Sequence, residues 1–227
     1  MSRANHLLLP LLALLAACQQ PTSAIASETV VRAPAAERKA SEGSELQTAI
    51  FAGGCFWGVE GVFSHVQGVT SAVSGYHGGG RRDAEYEAVS SGQTAHAEAV
   101  RVTYDPARIR YDGLLRIFFS VVADPTQFNR QGPDYGTQYR SALVPVTEEQ
   151  RRVAMAYLAQ LKASGQWKRP IVTRIEKVRV FYPAEKYHQD FMAKNPDHPY
   201  IRRWDAPKVA ALGKLYPNYF KRGFTLD

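Results

Sequence analysis

Cys55 stands in the run Gly53-Gly54-Cys55-Phe56-Trp57-Gly58, between LQTAIFA, which reads as a buried strand, and CFWGVEGVFSHV, whose Phe56, Val59, Phe63 and Val66 recur at helical spacing. A cysteine at a helix start meets unpaired backbone N–H groups and the positive end of the helix dipole. Both favour a thiolate and therefore a nucleophile. The paired glycines permit a tight turn and close approach of a substrate to the backbone. Phe56 and Trp57 are adjacent, so both cannot face the core, and at least one ring is expected to line the space in front of the sulfur. Glu98 is the second candidate. Alternation through HAEAVRVTY, residues 96–104, puts His96, Glu98, Val100, Val102 and Tyr104 on one strand face and Ala97, Ala99, Arg101 and Thr103 on the other. A carboxyl on a valine-lined face loses hydration, which raises its pKa and leaves it protonated near neutrality, able to act as a general acid. Taken singly, each residue has an ordinary reading as well: an inert buried cysteine, or a strand-end glutamate that reaches solvent.

The elements that must hold these groups follow from pattern. Short apolar runs alternate with longer amphipathic ones from Leu46 onward, the sign of a layered α/β or α+β domain. VTSAVSGY reads as a second strand and HGGGRRDAEY as a loop. After Asp105-Pro106 a helix is expected through LLRIFFSVV, then the loop ADPTQFNRQGPDYGTQ and a strand at YRSALVPV. Thr147-Glu148-Glu149-Gln150 is a capping box, opening a helix that ends near Gly165. A late strand over Ile171–Phe181 and a short helix in AEKYHQDFMAK complete the regular elements. The tail beyond Asn195 shows no clear period and is expected to wrap the domain as irregular chain.

At 227 residues the chain is read as one domain with appendages. Its net charge of +7 is spread in short pairs such as Arg81-Arg82, Arg151-Arg152 and Arg202-Arg203 with acidic neighbours, which reads as solvated faces and not as a nucleic-acid groove. Two cysteines and six scattered histidines have no metal-ligand spacing, so no metal is expected. At the N-terminus, Arg3, an apolar run from Leu7 to Leu15 and small residues before Cys18 form a signal peptide, residues 1–17, too short for a permanent span. Leu15-Ala16-Ala17-Cys18 resembles the lipobox of bacterial lipoproteins, which implies cleavage before Cys18 and lipidation of its sulfur. Residues 18–45, rich in Ala, Ser, Glu and Pro, are then expected to be a flexible tether, and 46–227 the folded domain. An exported protein anchored to a membrane on the periplasmic side is the expectation. Gln19 and Gln20 lean towards the outer membrane in a Gram-negative cell.

The segments GGCFWGVE, HAEAVRVTYDP, DYGTQYRSA and AEKYHQDF, in this order from about Ala49 to about Asn195, together resemble the type A methionine sulfoxide reductases, the peptide-methionine (S)-S-oxide reductases. The resemblance implies a two-layer α/β sandwich of ferredoxin-like type, with a mixed sheet and extensive coil. It implies that Cys55 attacks the sulfoxide sulfur and becomes a sulfenic acid, that Phe56 and Trp57 receive the methyl group, and that Glu98 protonates the sulfoxide oxygen. Tyr86 and Tyr139 match the tyrosines that help hold that oxygen, and Asp134 an aspartate of the same polar network; Glu185 and His188 are read as structural. Oxidised proteins and free methionine sulfoxide are the implied substrates, with a monomer and no bound cofactor. There are two departures. Ala95 stands where the family commonly has Gly, and no cysteine follows Cys55, whereas many members carry resolving cysteines near the C-terminus. The sulfenic acid must then go to an external thiol, whether thioredoxin-like, glutaredoxin with glutathione, another envelope dithiol, or dithiothreitol in vitro, unless Cys18 is unlipidated and reaches it. Two rivals are a binding module without turnover and an acyl transferase; the latter lacks a Cys-His motif, since His65 and His77 have no motif around them.

Overall fold

A computed structural model describes residues 30–226 of the chain; the expected signal peptide, Cys18 and the first part of the expected tether lie outside the described residues. The core is a ββ-sheet frame built in the order β1 (Gln47–Gly53), α1 (Phe56–Ser64), β2 (Val69–His77), α2 (Tyr86–Ser90), β3 (Ala97–Tyr104) and α3 (Tyr111–Ile117). Then come a two-stranded hairpin of β4 (Arg130–Gln131) and β5 (Asp134–Tyr135), β6 (Ser141–Val144), α4 (Glu148–Ala163), β7 (Arg174–Ile175), β8 (Phe181–Pro183), α5 (Phe191–Lys194) and α6 (Ala206–Leu215). The main sheet runs β7-β6-β1-β3-β2-β8. Its central four strands are antiparallel neighbours in the β6-β1-β3-β2 order of a ferredoxin-like βαββαβ unit, and β7, parallel to β6, makes the sheet mixed.

The alternation in β3 settles the layering. Val100, Val102 and Tyr104 belong to the large apolar cluster with Phe51, Phe63 and Leu114, under the helices. Ala97 and Ala99 join a small cluster with Ile50, Ala142 and Val144 on the other face. Thr147 caps α4 as expected, its hydroxyl accepting from the Gln150 backbone N–H at 3.1 Å. Gln150 closes the box on Val146 N–H and also donates to the Thr48 carbonyl at 2.8 Å, which ties the head of α4 to β1.

Three expectations are corrected. The Ile171–Phe181 strand is two short strands on opposite edges of the sheet, β7 beside β6 and β8 antiparallel to β2, because alternation fixes faces and not partners. The tail beyond Asn195 is not irregular. It forms a π turn at Ile201–Asp205 and then α6, which starts with Pro207 in its first turn, buries Leu212 and packs on α1. Residues 30–45, expected as part of a tether, lie bound along the domain. Ala33, Ala36 and Ala40 are buried, and the Ala33 and Ala40 N–H groups donate to Ser120 Oγ and Asp112 Oδ1, each at 2.9 Å. Alanines cover a surface already shaped by α3 and α4, so this strap needs no apolar period of its own.

Glu42 is the strap's strongest tie, accepting from the Tyr111 backbone N–H at 2.9 Å and from the Tyr104 hydroxyl. Glu42→Ala leaves both donors without that acceptor and should lower unfolding stability by roughly 2 kcal/mol. Urea denaturation of the variant against the parent measures this; an unchanged midpoint would show that the strap adds no stability.

Candidate active site

β1 delivers the chain to Cys55 through Gly54, whose φ of +95° suits glycine and whose absent Cβ would lie 2.6 Å from Gln131 Cβ. Cys55 then occupies the N-cap of α1, so the strand-to-helix junction stands as read. The helix start, however, is largely spent on other partners. Phe56 N–H donates to Glu98 Oε2 at 2.9 Å, and the Gly58 and Val59 N–H groups point to the Cys55 carbonyl.

The Trp57 backbone N–H acts to lower the thiol pKa, and it is outweighed. Burial of the sulfur pushes the Cys55 thiol well above its ordinary value, and Glu98, Asp205 and Asp134 push it the same way. Cys55 is nevertheless part-exposed. The expectation of a resting thiolate is therefore corrected: the helix dipole of a nine-residue helix is opposed by desolvation and three carboxyl groups, and the resting sulfur holds its proton.

Glu98 lies on the buried face to which the strand alternation assigned it. It is 2% exposed, opposite Tyr76 in the β2–β3 register, on the face it shares with the buried valines. Burial pushes its pKa up to about 8, with Asp134 and Asp205 adding, while the Phe56 N–H pulls it down. A carboxyl so placed is mostly protonated at neutral pH and can donate.

The two adjacent aromatics divide as their spacing required. Phe56 is buried, its ring 4.9 Å from the His188 ring and 5.9 Å from Tyr76. Trp57 remains part-exposed and forms the wall. Its ring stacks on Phe191 at 3.7 Å, it meets Tyr200 edge-on at 6.0 Å, and its Nε1–H donates to His188 Nδ1 at 3.0 Å. Glu185 accepts from the Tyr76 hydroxyl at 2.8 Å and from the Tyr86 N–H at 2.9 Å, which fixes the start of α2. The structural reading of Glu185 and His188 thus has content: one sets the Tyr86 backbone, the other the indole plane.

Tyr86 and Tyr139 both lie within the electrostatic reach of Cys55 and Glu98. Burial, reinforced by these neighbours, pushes both phenols upward, so they stay protonated donors. Asp134, from β5, completes the predicted set, and its carboxylate accepts from the Tyr200 hydroxyl. Cys55, Phe56, Trp57, Tyr86, Glu98, Asp134 and Tyr139 therefore meet around one site. Tyr200, Phe191 and Asp205 also stand there and were not found in the sequence. For Tyr200 and Asp205 the signal lay in the tail, where Pro207 followed by Val209 and Leu212 marks a helix that the local period left unread, while Phe191 lies in the short helix already read in AEKYHQDFMAK.

The family model for peptide methionine sulfoxide reductase matches residues 47–217. The chain is 55% identical over 181 residues to peptide methionine sulfoxide reductase MsrA 2 of Mesorhizobium japonicum, covering 80% of this chain and 92% of that protein. It is 49% identical over 175 residues to peptide methionine sulfoxide reductase MsrA 2 of Synechocystis, covering 77% and 82%. Among solved structures, Mxr1 from Saccharomyces cerevisiae in reduced form superposes with a TM-score of 0.58 at 30% identity, over 71% of this chain and 92% of that one. With the sheet order, the Cys55–Glu98 junction and these matches in hand, the chain belongs to the peptide methionine sulfoxide reductase family.

Proposed function

We propose that this protein reduces the S epimer of methionine sulfoxide, in proteins and free, to methionine. The observation that carries the reading is the Cys55 sulfur at the head of α1, one residue from the N–H that holds a buried, mostly protonated Glu98. The exposed flank of Trp57 takes the methyl group, and the Tyr86 and Tyr139 hydroxyls hold the sulfoxide oxygen. Glu98 donates its proton towards that oxygen, which makes the sulfoxide sulfur electrophilic and gives the thiol proton of Cys55 a carboxylate to move to. The sulfur is attacked as it loses that proton, so a permanent thiolate is not required. In the balance, the sulfoxide S–O bond breaks, the oxygen and the thiol proton end on Cys55 as a sulfenic acid, and methionine leaves as the thioether. Cysteine is oxidised by two electrons and the sulfoxide reduced by two.

The sulfenic acid is resolved from outside. An external thiol attacks it, water leaves, and a second thiol reduces the mixed disulfide. The reductant class is a thioredoxin-like or other small dithiol, since no cysteine follows Cys55 in the chain. Export through the N-terminal segment and anchoring by a lipidated Cys18 would make this a repair activity of the cell envelope, a reading supported by Leu15-Ala16-Ala17-Cys18 alone.

Incubating the protein with each epimer and dithiothreitol should consume the S sulfoxide and spare the R; equal loss of both, or none, would overturn the assignment. Glu98 acts as an acid, so its competent form dominates below about 8 and is lost above it. The single-turnover rate should therefore fall as pH rises through that value. Glu98→Gln, with no proton to give, should slow single turnover by about 10²-fold or more while the thermal midpoint at neutral pH is kept. Unchanged rates would remove Glu98 as the proton source. For the anchor, Cys18→Ser should move the protein from the membrane to the soluble fraction with full activity on free methionine sulfoxide; a variant that stays with membranes would exclude lipidation.

A further inference from the structure

The β4–β5 hairpin is occupied differently on its two faces. In its register Gln131 pairs with Asp134 and Arg130 with Tyr135, and successive residues of a strand point to opposite sides. The first pair turns inward: Gln131 is buried and packs against Gly54, and Asp134 meets the Tyr200 hydroxyl. The second pair turns outward. Tyr135 is 65% exposed, with the Arg130 guanidinium 4.2 Å from its ring centre. Phe128, just before the hairpin, is 61% exposed, with the Arg174 guanidinium 5.5 Å from its ring centre. The element that closes the site on one face thus shows solvent two aromatic rings with a cation on each, and surface of that kind marks a place where something binds.

An open groove of about 490 Å³ runs beside the hairpin. One wall is the connection from α2 to β3, with Gly92 and Ala95; the other is the 3₁₀ turn Thr137–Tyr139 with Arg140 after it, and Arg174 and Glu176 also line it. Hydrogen bonds tie the walls together, Thr137 Oγ1 donating to the Gly92 carbonyl at 3.2 Å and Arg140 Nη2 to the Ala95 carbonyl at 3.1 Å, so the groove is preformed. Both walls continue into the site. Tyr139 follows Thr137 by two residues, and Glu98 follows Ala95 by three, a span of at most about 10 Å. The charges in the groove do not all cancel. Glu176 is held by Arg140, at 2.7 Å to one oxygen and 3.2 Å to the other, whereas Arg174 is exposed and has no carboxylate partner among the described residues.

We propose that this groove and the outer face of the hairpin hold the client polypeptide on one side of its methionine sulfoxide. The flanking chain lies extended, an acidic side chain about three residues from the sulfoxide meets Arg174, and an apolar one lies on Phe128 or Tyr135. The proposal rests on the reading of the Cys55 site as one that reduces methionine sulfoxide. The spacing follows from reach, since three extended residues span about 10 Å, the distance that separates the groove wall from Glu98 along β3. The preference for an acid follows from the unpaired Arg174, and the two rings supply contact area at small entropic cost. A groove of this size admits a few residues of extended chain and not a folded domain, which favours the client over a folded reductant as its occupant. Free methionine sulfoxide has no flanking chain and reaches neither surface.

The test uses the full chain, dithiothreitol as reductant, and S-sulfoxide peptides of one frame that carry Glu, Gln or Lys three residues before or three residues after the sulfoxide. N-acetylmethionine sulfoxide serves as the substrate without flanks. On one of the two sides, kcat/KM for the Glu peptide should exceed that for the Gln peptide about three-fold and that for the Lys peptide about ten-fold at low ionic strength, through KM. Arg174→Glu should reverse the order and Arg174→Gln abolish it, both with N-acetylmethionine sulfoxide turned over as by the parent. Phe128→Ser combined with Tyr135→Ser should raise KM about five-fold for every peptide and leave the flankless substrate unchanged. All three positions are exposed, so the fold does not depend on them. Equal kcat/KM for Glu and Lys peptides on both sides in the parent, or a preference that survives Arg174→Glu, would overturn the proposal. So would an effect of Arg174→Glu seen only when a thioredoxin replaces dithiothreitol, which would give this face to the reductant. Each of these outcomes is read while N-acetylmethionine sulfoxide is reduced, so it is distinct from failure of the activity itself.

Discussion

The Glu98 to Phe56 N–H hydrogen bond is the constraint around which the site is organised. It joins the centre of the sheet to the first residue of α1, so Glu98 and Cys55 are set relative to each other by one contact between regular elements. It also moderates the acid. Burial in the apolar layer would drive Glu98 further up, and the N–H draws it back to about 8, where it is protonated at neutrality and can still lose and regain its proton. The same bond removes one helix-start donor from the sulfur, so the device that tunes the acid contributes to keeping the thiol protonated.

Around that contact, each neighbouring element fixes one degree of freedom. His188 accepts the Trp57 indole N–H and Phe191 stacks beneath the same ring, which fixes the wall in plane and depth. Glu185 holds the head of α2 and thereby Tyr86. The β4–β5 hairpin presents Asp134 to a hydroxyl that arrives from the C-terminal π turn. The site is therefore closed by chain that lies well after the Cys55 and Glu98 segments in sequence, and the tail is part of the site, not a wrapping. On the opposite flank the strap of residues 30–45 ties α3 and α4 together through Asp112, Ser120 and Tyr157.

What could be read from the residues divides along physical lines. The βαββαβ core and the Cys55 junction were legible because alternation and helical spacing report directly on which face is buried. Glu98 was legible for the same reason: its face was fixed by the valines beside it. The state of Cys55 was not. A helix start argues for a thiolate, and what opposes it is burial, first, and carboxyl groups from β3, β5 and the π turn, which are 43, 79 and 150 residues away in the chain. Strand partners were likewise illegible, so Ile171–Phe181 read as one strand where the fold uses two. The strap was missed because alanines packing into another element's groove carry no pattern of their own.

The charge arrangement and the cysteine count bear on each other. With a resolving cysteine nearby, a reactive thiolate is a modest liability, since each accidental oxidation is captured as a disulfide and reversed. Cys55 has no such partner after it in the chain. Such a site gains from reacting only when an oxidised substrate supplies the oxygen that Glu98 can protonate. A desolvated thiol beside a neutral acid has that conditional reactivity, because attack and proton transfer are coupled to substrate binding. The surroundings of Cys55 therefore suit attack that is coupled to substrate binding, and not a standing thiolate.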